Sequence, residues 1–239
     1  MTNWLLMVAH NLSHMTMKAV VSGLRQDIGN VRVFLVNQGS TDGLAQAAEA
    51  LYPDVVTTHH YPPLTSLAAA WNLGLSHLLE GDGGKVLVIN NDVELIPETY
   101  RLLEDGGGFV TAVGVTPTAE KPFDATVGDL TKSRAHPDFS AFLIRRWVWE
   151  KVGPFDERYL IAYAEDADMH VRMHRAGVDA KCIDIPFLHH AAATINSLPV
   201  WEREKVARQA DLNRALFKRE YGCEVGSDEY YKLFEEAHK

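Results

Sequence analysis

Residues 31–43, VRVFLVNQGSTDG, pass from an unbroken β-branched and apolar run straight into a cluster of turn formers. A short apolar run ending this way reads as a buried strand feeding a helix, the repeating unit of an α/β fold. The same rhythm extends outward. Strand-like runs occupy residues 4–9 (WLLMVA), 55–60 (VVTTHH), 85–90 (KVLVIN) and 109–115 (FVTAVGV). Helix-length amphipathic stretches cover 14–26, 43–51, 65–80 and 97–105, with Pro97 placed for a first helical position. The pattern predicts an α/β fold with a mostly parallel central sheet flanked by helices.

The second half is less regular. Residues 116–137 are rich in turn formers and predict a long loop with at most one short element. A strand follows at 138–146, then a short helix closed by Gly153. A further helix at 164–176 has Gly177 just past its end, and the last strand covers 178–185. Residues 186–199 read as a loop, and 200–238 as two helices broken near YGCEVGS. The division expected is one domain over 1–198 and a helical extension over 199–239 packed on it.

A chain of 239 residues with 46% hydrophobic and 23% charged residues has enough apolar content to bury a sizeable core. A formal net charge of −9 argues against gripping a nucleic acid with the whole surface. Cys182 and Cys223 form no metal-type spacing and read as reduced thiols of a cytoplasmic protein. The apolar run at residues 4–9 is too short for a signal peptide or membrane span.

Ligands of open α/β sheets bind outside the carboxyl ends of the strands. The residues found there are His10 and Asn11, then Asn37 to Gly43, then Asn90, Asn91 and Asp92. NQGSTDG supplies Gly39 and Gly43 for tight backbone, with Ser40, Thr41 and Asp42 as caps for the next helix. It is neither a dinucleotide fingerprint nor a phosphate loop. NND at 90–92 is either a simple Asx turn or part of a hard-oxygen cation site, which needs a second ligand. His189 and His190, after the last strand, are either solvated or supply that ligand.

The carboxylates of YAEDADMHVRMHRAG (163–177) divide by helical geometry. Glu165 and Asp168 lie within about 60° of each other, and Arg172 shares their side, predicting an Asp168–Arg172 ion pair. Asp166 is offset by about 160° from Asp168 and sits in the first turn, where the helix dipole favours its ionised form. It is either dipole compensation or a general base for an alcohol.

Taken in order, these pieces resemble the family 2-like GT-A glycosyltransferases, with a rhamnosyltransferase-like pattern. His10-Asn11 matches a short aromatic-Asn element, and NQGSTDG matches a DNGSTDG-like turn. LTSLAAAWNLG, with Asn72 and Gly74, matches an N-x-G element, and NND matches a degenerate DxD motif. SAFLIRRWVWEKVGPFDERYLIAYAEDADMHVRMHRAGV (140–178) is the most specific match, and LHHAAAT resembles a closing HHGG element. The likeness runs from residue 4 to about residue 195.

The resemblance implies an inverting, metal-dependent transfer of a sugar from a nucleotide-sugar donor to an acceptor hydroxyl. It implies that His10, Asn37, Asn72, Asn90, Asn91 and Asp92 bind the nucleotide-sugar. Asp92 and His189 would hold a divalent cation, Mn2+ or Mg2+, with His189 preferred over His190. Asp166 would be the base, and Glu165 would orient it or the sugar. Asn37 and Trp71 stand where the family often has Asp and Arg, so a UDP-sugar is the first expectation and thymidine or guanosine donors stay open. The triplet AAA in place of GG is a further departure. The acceptor is a glycan, a small molecule or modified nucleic acid, the last suggested by six basic against four acidic residues in 201–222. A non-catalytic sugar-nucleotide-binding protein and a metal-dependent nucleotidyltransferase are the alternatives.

Overall fold

The computed structural model describes residues 2–60, 63–80, 84–134, 136–190 and 193–235. Strands β1 (Asn3–Ala9), β2 (Val31–Asn37), β3 (Val55–His59) and β4 (Lys85–Asn90) lie in the order β3-β2-β1-β4, all parallel. They are linked by α1 (Ser13–Leu24), α2 (Leu44–Leu51) and α3 (Leu67–Glu80). After β4 the chain forms β5 (Val93–Leu95), a short strand with no counterpart in the sequence reading, and α4 (Thr99–Glu104). Next come β6 (Phe109–Val115), β7 (Ser133–Arg134), β8 (Ala141–Arg145), α5 (Arg146–Val152), α6 (Glu165–Arg175) and β9 (Ala180–His189). The described chain closes with α7 (Ala193–Ser197), α8 (Val200–Tyr221) and α9 (Asp228–Lys232).

The parallel expectation holds for the first four strands and for β6 with β9. The strand β8, reached through the long 116–137 segment, inserts between β4 and β6 running the other way. At the far edge β5 pairs antiparallel with β9. The fold is thus α/β, with a central sheet flanked by helices, as expected.

Both faces of the sheet are buried because alternate side chains of each strand point to opposite sides. Leu5 and Met7 of β1 join Val33 and Leu35 of β2 and Leu87 and Ile89 of β4 in one core. Leu6, Phe34, Val36, Val86 and Val88 join Trp71, Phe142 and Phe155 in the other. Two glycines let helices close on β1 from both sides. A Cβ at Gly23 of α1 would collide with the Leu5 side chain, and one at Gly74 of α3 with Leu6. A third cluster joins α6 to the tail, with Ala167 and Val171 packed with Phe217, Cys223 and Tyr230.

Two boundaries differ from expectation. Pro97 lies outside α4, which begins at Thr99, because residues 96–99 form a turn in which the Thr99 N–H donates to the Ile96 carbonyl at 3.2 Å. The last strand runs four residues further than 185, since Val113, Gly114 and Val115 pair with Pro186, Phe187 and Leu188. His189 therefore ends a strand instead of sitting in a loop. Residues 236–238 of the expected tail helix lie outside the described residues. Cys182 and Cys223 are buried free thiols.

Candidate active site

Parallel register gathers the strand ends into one row. Ala9 pairs with Asn37, Asn37 with His59, and Val8 with Asn90, so His10, Asn37 and Asn90 to Asp92 leave the sheet along the same edge. The loop carrying NQGSTDG is sewn to the end of β1. The Asn11 N–H donates to Ser40 Oγ at 2.8 Å and the Thr41 N–H to Asn11 Oδ1 at 2.9 Å. Ser40 and Thr41 thus serve Asn11 and do not cap the next helix. Asp42 accepts from the Leu44 N–H at 3.3 Å and, across the loop, from the Ser13 N–H at the head of α1 at 2.7 Å.

The nucleotide-side residues have distinct partners. His10 Nδ1 is 2.7 Å from the Gln38 carbonyl, and Asn37 Nδ2 lies 3.3 Å from His59 Nδ1 while its Oδ1 accepts from the Ser40 N–H. Asn90 is half-buried at the end of β4. Asn91 is buried, donating to Thr16 Oγ1 at 3.1 Å and accepting from Thr194 Oγ1 at 3.2 Å. Asn72 does not join this row. Its amide donates to the Phe155 carbonyl at 2.9 Å and accepts the Phe155 N–H at 2.8 Å, with a further bond to Glu157.

Asp92 and His189 meet. The antiparallel return of β9 sets His189 opposite Val93, with Nε2 3.6 Å from Asp92 Oδ1. Asp92 Oδ2 accepts from the Ala193 N–H at 3.2 Å. Burial alone would raise the Asp92 pKa, but the neighbouring His189 and the Ala193 N–H outweigh it and hold the carboxyl below its usual value. His189 is raised in turn by its contact with Asp92, against its own burial. His190 turns away, its Nε2 2.9 Å from Glu94 Oε1.

A hard carboxylate oxygen beside an imidazole nitrogen suits Mn2+ or Mg2+, which commonly take few protein ligands and complete their shell with phosphate oxygens and water. Among the described residues no three His, Cys, Asp or Glu side chains cluster as an ion cage. The triplet AAA begins at residues 191 and 192, outside the described residues.

The carboxylate helix behaves as its geometry predicts for one pair. Arg172 Nε donates to Asp168 Oδ2 at 2.7 Å, and the Tyr221 hydroxyl to Asp168 Oδ1 at 2.6 Å. Asp166 is half-buried and accepts a local bond from the Ala167 N–H at 2.7 Å. The helix dipole does not set its titration. Burial dominates and raises its pKa, with the Asp138 charge adding to the rise. Glu165 is 4% exposed, its Oε2 has no hydrogen-bond partner among the described residues, and burial together with the Asp166 charge pushes its carboxyl up to about 8.

Two residues were missed. Asp138, held by the Gly114 and Ser140 N–H groups, lies close enough to both Asp166 and His189 to raise the pKa of each. In the sequence it was only the first letter of a strand. The other is Asn213 on α8, which donates to three carbonyls of the segment leading into α6. That segment carries left-handed backbone at Ile161 (φ 62°), Tyr163 (φ 82°) and Ala164 (φ 74°). Such conformations in non-glycine residues cost about 1–3 kcal/mol each and persist only where surrounding structure enforces them.

Residues 4–167 match the model of glycosyl transferase family 2. The chain belongs to that family. It is 29% identical over 210 residues to an N-acetylglucosaminyl-diphospho-decaprenol L-rhamnosyltransferase of Mycobacterium tuberculosis, covering 68% of this chain and 67% of the relative. Solved structures with the same fold include the mannosyltransferase PcManGT of Pyrobaculum calidifontis in complex with GDP-Man and Mn2+. That likeness has a TM-score of 0.62 at 14% identity, over 97% of this chain and 67% of the other. TarS of S. aureus in complex with UDP gives 0.59 at 14% identity, over 93% and 72%. This family 2 glycosyltransferase therefore has the GT-A fold, and its activity is sugar transfer. Among its described residues no helix is long and apolar enough to cross a membrane.

Proposed function

We propose that the enzyme transfers a sugar from a nucleoside diphosphate donor to an acceptor hydroxyl with inversion. Asp166 takes the hydroxyl proton as the acceptor oxygen attacks the anomeric carbon, and the bond from that carbon to the diphosphate breaks on the opposite side. Asp92 and His189 would hold a divalent cation, which when bound would supply positive charge to the leaving diphosphate. Glu165, its carboxyl pushed up by burial beside Asp166, orients Asp166 or the sugar. His10, Asn37, Asn90 and Asn91 line the nucleotide and sugar.

One observation carries this reading. The antiparallel return of β9 brings His189 Nε2 to 3.6 Å from Asp92 Oδ1 at the strand-end row that also holds Asn37 and Asn90. A hard carboxylate oxygen beside an imidazole nitrogen suits a cation on a leaving diphosphate. Burial raises the Asp166 pKa, which agrees with a group that takes up a proton. The L-rhamnosyl transfer of the mycobacterial relative makes a deoxyhexose the first sugar to test, and a lipid-diphosphate-linked sugar the first acceptor.

The experiment is a panel of UDP-, dTDP- and GDP-sugars, with and without Mn2+, followed by release of free nucleotide. Turnover with one donor that depends on the ion is expected. Asp166→Asn is expected to abolish transfer and leave donor affinity nearly intact. Equal loss of both would refute Asp166 as the base, and no turnover or binding of any donor by folded protein would refute the catalytic reading.

A further inference from the structure

The segment leading into α6 is held from two sides. On one, the Ile161 N–H donates to the Thr65 carbonyl at 2.9 Å, and the Leu67 N–H to the Ile161 carbonyl at 2.7 Å. On the other stands the Asn213 side chain of α8. Asn213 of α8 is 1% exposed. Its Nδ2 lies 2.9 Å from the Leu160 and Ala162 carbonyls and 3.1 Å from that of Tyr163. Gln209 Nε2 donates to Asn213 Oδ1 at 2.9 Å, which fixes the amide with its NH2 toward the segment.

These carbonyls converge because Ile161, Tyr163 and Ala164 have left-handed backbone. Ala164 is also the N-cap of α6, and no side chain caps that helix. The direction of its first turn is therefore set by the strained segment before it. Asp166 lies three residues beyond the last carbonyl that Asn213 holds. A side chain matching Asn213 in size but lacking the NH2 would leave three converging carbonyls without their donor, and the left-handed residues would relax.

We propose that Asn213 is a positioning residue for Asp166, so that α8, beyond the stretch matching the family model, helps to set the geometry of the reaction. The proposal rests on the reading of Asp166 as the base. A shift of about 1 Å at a reacting group can cost a hundredfold in rate while leaving remote binding contacts intact.

The test uses the full chain and the variants Asn213→Leu, Asn213→Asp, Asp166→Asn and the double variant Asp166→Asn/Asn213→Leu. Hydrogen exchange is measured without ligand, and steady-state turnover with the donor that the panel identifies. The expected result for Asn213→Leu is exchange faster by about tenfold at amides 161–167 and kcat lower by about a hundredfold, with donor KM within about threefold. Asn213→Asp, which keeps the size and loses the NH2, should behave alike and serves if the Leu variant does not fold. The double variant should be no slower than Asp166→Asn, because residues acting through one group do not add.

Unchanged exchange, unchanged kcat in folded protein, parallel loss of kcat and donor affinity, or multiplying losses in the double variant would each overturn the proposal. Full turnover by Asp166→Asn would remove the base itself, and with it this role for Asn213. That failure is distinguishable because it appears without any change at position 213.

Discussion

His189 Nε2 lies 3.6 Å from Asp92 Oδ1, while the adjacent His190 places its Nε2 2.9 Å from Glu94 Oε1. Neighbouring residues of an extended chain point to opposite sides, so the two imidazoles serve different carboxylates. His189→Ala is expected to weaken Mn2+-dependent nucleotide binding by about tenfold or more, and His190→Ala by no more than about threefold. Calorimetric titration of UDP with and without Mn2+ reads both, and the opposite ranking would exchange their roles.

Glu165 should make stability fall as pH rises. Its folded pKa of about 8 stands above the ordinary 4.5, so between those values the folded chain keeps a proton that the unfolded chain has lost. The contribution is complete below 4.5 and fades as pH climbs through 8. Glu165→Gln should show a shallower loss of stability from pH 6 to pH 9 than the parent, measured by urea unfolding. Identical slopes would mean that the carboxyl is not held protonated.

The segment GPFDERY is anchored by Asn72, whose amide both donates to and accepts from the Phe155 main chain. Asn72→Ala leaves those buried backbone groups unpaired and should destabilise the fold by about 1–3 kcal/mol. Donor affinity at saturating Mn2+ should change by less than about threefold. A large affinity loss in a variant of parental stability would instead place Asn72 on the nucleotide-sugar.

His170 gives the opposite pH sign to Glu165. It is buried, its ring stacks on Phe234 at 4.2 Å, and its Nδ1 lies 3.4 Å from the Tyr230 hydroxyl. Burial, with the nearby His136 and His174, lowers its pKa from 6.5 to about 4. The unfolded chain therefore binds a proton first, and stability present above 6.5 is lost as pH falls toward 4, by about 3 kcal/mol at most. His170→Gln should flatten that part of the stability profile, as read by urea unfolding at pH 7, 6 and 5.

Gly74 is a matter of space. Its Cβ would enter the side chain of Leu6, which is fully buried in β1. Gly74→Ala should cost about 1–3 kcal/mol through overpacking, partly offset by about 1 kcal/mol of helix propensity. A stabilised variant would show that Leu6 can yield without loss.

Local pattern carried much of this protein. The apolar runs located β1 to β4 and β6 to within a residue or two, since a strand buried on both faces must be apolar throughout. The spacing of Asp168 and Arg172 gave their ion pair, since one helical turn brings such residues together. Local pattern also put Asp92 at a strand end, but the meeting of Asp92 with His189 depends on β9 turning back beside β5. The clamp of Asn213 on Tyr163 spans 50 residues, and the bond between Asn72 and Phe155 spans 83. The raised pKa of Asp166 was misjudged for the same reason. A first-turn carboxylate read alone feels only its helix dipole, whereas burial and the Asp138 charge act on it through the folded chain. The sequence by itself determined the strands, the helices and the residue types at their ends. Tertiary structure alone decided which of those residues share an environment, because register, burial and long-range hydrogen bonds exist only once the chain has closed on itself.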